Sequence, residues 1–138
     1  MAKISVDFDG MSEILSKMIE MDKDIDKAVE NALEKSKDYV TPLVEQATRK
    51  HVQTGKTKQA IDTDGRVEND SVSAYIEVGF DISQEIRESG APVSIFLMYG
   101  TPKMKPDKKL YNAIYGSKTK KEIARIQLEE FNKVLNDT

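Results

Sequence analysis

The chain has 138 residues, no cysteine, 33% charged and 38% hydrophobic residues, and a net charge of −3. This length fits one domain that buries roughly two thirds of its unfolded surface, and the missing cysteines exclude a disulfide framework, a thiolate nucleophile and a thiolate metal site. The acidic balance argues against a dedicated nucleic-acid binder, and the longest apolar run, Ile95–Tyr99, is far short of the roughly 20 residues of a membrane span.

The opening Met-Ala-Lys-Ile-Ser-Val-Asp is too poor in apolar residues for a signal peptide. Ile4, Val6 and Phe8 alternate with Ser5 and Asp7, which predicts a short strand closed by Asp9-Gly10. From Met11 the period lengthens. Met11, Ile14, Leu15, Met18, Met21, Ile25, Ala28, Val29, Ala32 and Leu33 recur at steps of three and four, with charged residues between them. That is a long amphipathic helix with a narrow apolar stripe. Pro42 disturbs it: either the helix kinks there, or Thr41 caps a second helix with Pro42 in its first turn. Leu43, Val44, Ala47 and Val52 continue the apolar face, and Gly55 ends it. Lys56–Ile61 adds a short helical turn.

After it the period becomes two. Val67 begins a strand, Asn69-Asp70 reads as a turn, and Val72, Ala74, Ile76, Val78 and Phe80 alternate with polar neighbours as a half-buried strand. The polar stretch 81–90 reads as a surface loop that can hold a helical turn. Val93–Tyr99 reads as a third long strand, apolar on both faces near its end and stopped by Gly100-Thr101-Pro102. A basic loop follows at Lys103–Pro106, then a short helix over Asp107–Tyr115 using Leu110, Tyr111 and Ile114, ended by Gly116. Thr119 and Glu122 fit a capping box. The last helix turns Ile123, Ile126, Leu128, Phe131, Val134 and Leu135 inward. The expected fold is a single α+β domain over 1–138. An antiparallel sheet of about four strands packs against a long N-terminal helix, bent or broken near Pro42, and against C-terminal helices.

Catalytic signals are weak. Gly55-Lys56-Thr57 resembles the end of a phosphate-binding loop, but the glycine required five positions earlier is Lys50. Asp62, Asp64, Glu68 and Asp70 lack the spacing of a calcium loop and fit a solvated hairpin better. His51, the only histidine, sits beside Arg49 and Lys50 as a solvated side chain near a helix C-terminus. Asn69-Asp70-Ser71 has the form of a glycosylation sequon, inert in a chain without a secretion signal. The sequence therefore predicts no catalytic residue, no metal and no cofactor.

Positive charge is segregated. Lys103, Lys105, Lys108, Lys109, Lys118, Lys120, Lys121 and Arg125 are opposed in that stretch only by Asp107 and Glu122. They form either an ordinary solvated surface or a basic rim that meets phosphate or an acidic partner. With little aromatic interleaving for base stacking, any DNA contact would be to the backbone and non-specific. Met11, Met18 and Met21 are either core or an adaptable contact surface.

Several segments in order resemble the head–tail joining family of siphophages and prophages, also described as neck or tail-completion proteins. Val6-Asp7-Phe8-Asp9-Gly10 leading into Met11-Ser12-Glu13-Ile14-Leu15 looks like that family's strand-turn-helix start. Thr54-Gly55-Lys56 with Ala60-Ile61 is similar to its Thr-Gly-basic signature and small-apolar pair. Tyr99-Gly100-Thr101-Pro102-Lys103-Met104-Lys105-Pro106 looks like its aromatic-Gly-Thr segment and basic proline-containing loop, and Leu110–Ala113 resembles the short helix after it. The chain departs from the family at Met98, often acidic there, and at Asp107, often phenylalanine. The resemblance implies a structural subunit of the virion neck, present in the host cytoplasm during assembly. Its partners would be connector or stopper proteins and tail-terminator or tail-tube proteins, and its own copies would form a homo-oligomeric ring. It also implies docking through Met11, Met18, Met21, Tyr99, Gly100, Thr101 and Met104. In that setting charge segregation alone, and not the resemblance, would turn Lys103, Lys105, Lys108 and Lys109 toward the DNA channel. The rival reading is a small intracellular regulatory module that binds a partner through its amphipathic helix.

Overall fold

The computed structural model describes residues 2–49, 60–61, 67–69, 74–89 and 93–137. Helix accounts for 67% of them. The elements are β1 (Ala2–Ser5), α1 (Met11–Glu20), α2 (Ile25–Thr48), β2 (Glu68–Asn69), β3 (Ala74–Val78), α3 (Ile82–Ser89), α4 (Val93–Tyr99), α5 (Lys108–Tyr115) and α6 (Ser117–Leu135). The described sheet is antiparallel in the order β1-β3-β2, pairing Ile4 with Ile76 and Glu68 with Tyr75. Only β1 and β3 are of ordinary length, because β2 has two residues. The expected four-stranded sheet is thus replaced by a mostly helical fold carrying little more than one strand pair.

The largest correction is Val93–Tyr99, which is helix and not strand. An unbroken apolar run has no period to distinguish the two. The buried residues Ser94, Leu97 and Met98 follow the three-and-four step of a helix. The α3 helix settles the choice. The Glu85 carboxylate, itself buried, accepts from the Ser94 backbone N–H at 2.9 Å and from its hydroxyl at 2.5 Å, which satisfies a first-turn donor of α4. The stretch expected as a loop is α3, because Asp81 caps it: its Oδ1 accepts from the Gln84 N–H at 3.1 Å.

The long N-terminal helical region breaks at Met21–Asp24, not at Pro42. The Lys23 N–H donates to the Met18 carbonyl at 2.8 Å and the Asp22 N–H to that of Ile19 at 3.2 Å. This is a Schellman ending, with Asp22 held at φ +54°. Asp24 then caps α2, its Oδ1 accepting from the Lys27 N–H at 3.0 Å. The stripe keeps phase across the corner, so apolar spacing alone hides the break. Pro42 lies inside α2 on its exposed side. There the Asp38 carbonyl, deprived of its helical donor, can be hydrated.

Two apolar clusters hold the elements. The first gathers Val40, Val44 and Ala47 of α2, Ile61, Val78, Phe80, Leu97 and Met98 of α4, and Leu110 and Ile114 of α5. The second gathers Phe8, Met18, Ala28, Ala32, Phe131 and Val134, with the Phe8 and Phe131 rings edge-to-face at 5.3 Å. Between them Gln127 of α6, fully buried, ties down the end of β1. Its amide donates to the Ser5 carbonyl at 3.0 Å and accepts from the Asp7 N–H at 3.0 Å, as a neighbouring strand would. Val6 and Phe8 therefore leave the sheet and enter the second cluster. Gly116 separates α5 from α6 as expected, but Thr119 lies inside α6 and does not cap its start. It is buried, and its hydroxyl donates to the Asn112 carbonyl at 3.0 Å, fastening the two helices.

Candidate partner-docking surface

The α4 helix is apolar on nearly all sides, yet only one side is covered. Leu97 and Met98 enter the first cluster, whereas Ile95, Phe96 and Tyr99 are 38%, 41% and 58% exposed. A helix that is hydrophobic all round normally lies fully inside a protein. The outward side of α4 is an apolar face without cover among the described residues. Tyr99 is partly steadied by an edge contact to Tyr111 at 5.6 Å, and Tyr111 packs on Tyr115 at 5.1 Å. Burial, then the neighbouring Tyr99 and Tyr111, push the Tyr115 hydroxyl above its ordinary value.

The loop after α4 is shaped by local contacts. The Gly100 N–H donates to the Phe96 carbonyl at 2.8 Å. Gly100 sits at φ +79°, and a Cβ there would lie 2.9 Å from the Met104 carbonyl oxygen and from Pro106. Only glycine fits. Thr101–Met104 then forms a tight turn with Pro102 at its second position. The Met104 N–H donates to the Thr101 carbonyl at 3.1 Å, and the Thr101 N–H to the Met104 carbonyl at 2.9 Å. The Asp107 N–H donates to the Leu97 carbonyl at 2.7 Å, closing the loop onto α4. This turn presents Met104, 39% exposed, beside exposed Thr101, Lys103 and Lys105.

The sequence-derived docking residues divide. Tyr99, Gly100, Thr101 and Met104 come together at this edge. Met18 is completely buried with Phe8 and Phe131, so it is core and not surface. Met11 is half-buried against the same cluster. Met21 is 57% exposed, beside Ile19 at 70%, at the corner between α1 and α2. Ile95 and Phe96 carry no docking signal in the sequence, where a strand over 93–99 would turn them to opposite faces of a sheet.

The four basic-patch lysines are all exposed. Lys103 and Lys105 belong to the turn, and Lys108 and Lys109 to the first turn of α5. The α6 helix likewise begins with Lys118, Lys120 and Lys121, and neither helix carries an acidic residue in its first turn. Cations at helix N-termini oppose the macrodipole, so this end of the molecule suits an anionic neighbour. Arg125 stands apart, because its guanidinium donates to Glu122 at 2.5 Å and Glu129 at 2.9 Å. Its own pKa is raised and that of Glu122 lowered by this pairing. Lys109 and Lys118 also overhang an open groove of about 660 Å³ between α2 and the α5–α6 junction, floored by Leu43 and Ala47.

Among the described residues no group of His, Cys, Asp and Glu is placed to hold a metal, and no helix is long and apolar enough to cross a membrane. Glu68 lies on β2, while Gly55-Lys56-Thr57, His51, Asp62, Asp64 and Asp70 lie outside the described residues. No family model, curated protein or solved structure matches the chain.

Proposed function

We propose that the chain is a structural virion-assembly protein of a tailed phage or prophage, one that joins the head connector to the tail. The observation that carries this reading is a coincidence of place. A segment that resembles the head–tail joining family, Tyr99–Pro106, is also the hydrogen-bonded turn next to the apolar side of α4 that no described residue covers. A preformed edge with an exposed aromatic and a polar rim is what a permanent protein contact needs. The role is one of binding, and no catalytic step is assigned. The protein acts in the virion neck after assembling in the host cytoplasm, against connector or stopper proteins on one side and tail-terminator or tail-tube proteins on the other. Lys103, Lys105, Lys108 and Lys109 meet an anionic surface, either packaged DNA or a carboxylate-bearing protein.

The regulatory-module reading requires a free amphipathic stripe. The stripes of α1 and α2 are largely buried against α6 and the sheet, which favours the assembly reading. The test is complementation of a phage lacking this gene. Phe96→Ser with Tyr99→Ser should leave folded protein but yield heads and tails that fail to join. Full infectivity with both substitutions would contradict the proposal.

A further inference from the structure

Two patches on this chain mirror each other in charge. Residues 19–26 carry Glu20, Asp22, Asp24 and Asp26 against the single cation Lys23, whose ammonium donates to the Asp137 carbonyl. Residues 99–109 carry Lys103, Lys105, Lys108 and Lys109 against the single carboxylate Asp107, which caps α5 by accepting from the Leu110 N–H at 3.1 Å. Each patch centres on exposed apolar side chains, Ile19 and Met21 at 70% and 57% in the first, Tyr99 and Met104 at 58% and 39% in the second. All four carboxylate residues and all four lysines are exposed.

The patches lie at opposite ends of the molecule. The acidic corner leads into the first turn of α2, whereas α4 shares its core cluster with Val40, Val44 and Ala47 near the other end. The run from Ile25 to Val44 spans about 28 Å at 1.5 Å per residue. One copy cannot fold its corner onto its own edge, but a second copy can.

We infer that the acidic α1–α2 corner of one copy docks on the basic α4 edge of the next. Ile19 and Met21 cover the outward side of α4 while the carboxylates meet the lysines. Such a contact is heterologous: each copy offers a different face to each neighbour, and repetition gives a closed ring or an open filament according to the rotation per step. This assignment rests on the assembly reading for the expectation that copies meet. The choice of faces comes from the two patches.

Charge swapping tests it by light scattering on the full chain. The wild-type mass should rise with protein concentration at low salt and fall as salt shortens the Debye length below about 10 Å. Glu20→Lys with Asp26→Lys makes both patches basic, and Lys103→Glu with Lys105→Glu makes both acidic. Each variant alone should stay monomeric, with wild-type circular dichroism showing that it folds. Their equimolar mixture should recover association. A monomeric mixture, or variants that associate as the wild type does, overturns the inference. So does retention of wild-type protein on duplex DNA as monomers, which would assign the lysines to phosphate. Recovery by the mixture without any binding to connector or tail-terminator proteins would keep the face assignment and remove the phage role.

Discussion

At Gly100 the backbone leaves little freedom. Its φ of +79° and the 2.9 Å approaches of Met104 and Pro106 to any added Cβ mean that Gly100→Ala strains the turn and displaces its neighbours. The substitution should cost about 1–3 kcal/mol in urea unfolding, the range for a strained backbone position. It should also weaken partner binding, because Met104 and Lys103 ride on that turn. Glu85 governs the adjoining joint. Burial raises its pKa, and the two bonds from Ser94 only partly offset this. Because the folded value exceeds the unfolded one, the folded state binds more protons between the two. Stability therefore falls as pH rises through that interval, and the loss is complete above the folded pKa. Glu85→Gln keeps an acceptor for the Ser94 N–H and removes the buried charge. Thermal melts should show a Tm that no longer falls across that interval, and a higher Tm than wild type at neutral pH.

Helix ends decide the elements, and here the sequence was partly legible. The α5 helix, its terminator Gly116 and the inward side of α6 at Phe131 and Val134 follow from spacing and glycine placement. Asp81-Ile82-Ser83-Gln84 held the start signal of α3, hidden by the polarity of the stretch. The corner at Asp22 was illegible because a left-handed aspartate replaces the usual glycine and the stripe stays in phase. Two substitutions check its position. Asp24→Ala removes the α2 cap and should cost about 1 kcal/mol. Pro42→Ala restores a hydrogen bond inside a continuous helix and should stabilise by ~1–3 kcal/mol, since proline is about 3 kcal/mol worse than alanine in a helix interior. A neutral or destabilising Pro42→Ala would mean that the helix breaks there after all.

The strand-to-helix change at Val93–Tyr99 alters the whole molecule. As a strand, that run would have completed a sheet and buried both its faces. As a helix it stabilises the first core cluster with Leu97 and Met98 and leaves Ile95, Phe96 and Tyr99 outside. The Gly100-Thr101-Pro102 stop after the apolar run was visible from residues alone, but the apolar face beside it became visible only in three dimensions. Stability and docking should therefore separate. Phe131→Ala opens the second cluster and should cost about 3–5 kcal/mol, while Phe96→Ser and Tyr99→Ser should leave stability nearly unchanged. The measurement that tests the proposed assembly role most directly is light scattering of the protein mixed with connector and tail-terminator proteins of tailed phages. A defined complex with at least one of them, lost in the Phe96→Ser/Tyr99→Ser variant because its copies no longer join through α4 into the assembly that docks, is the predicted result. A wild-type protein that ignores both, or a complex that the variant forms equally well, would contradict it.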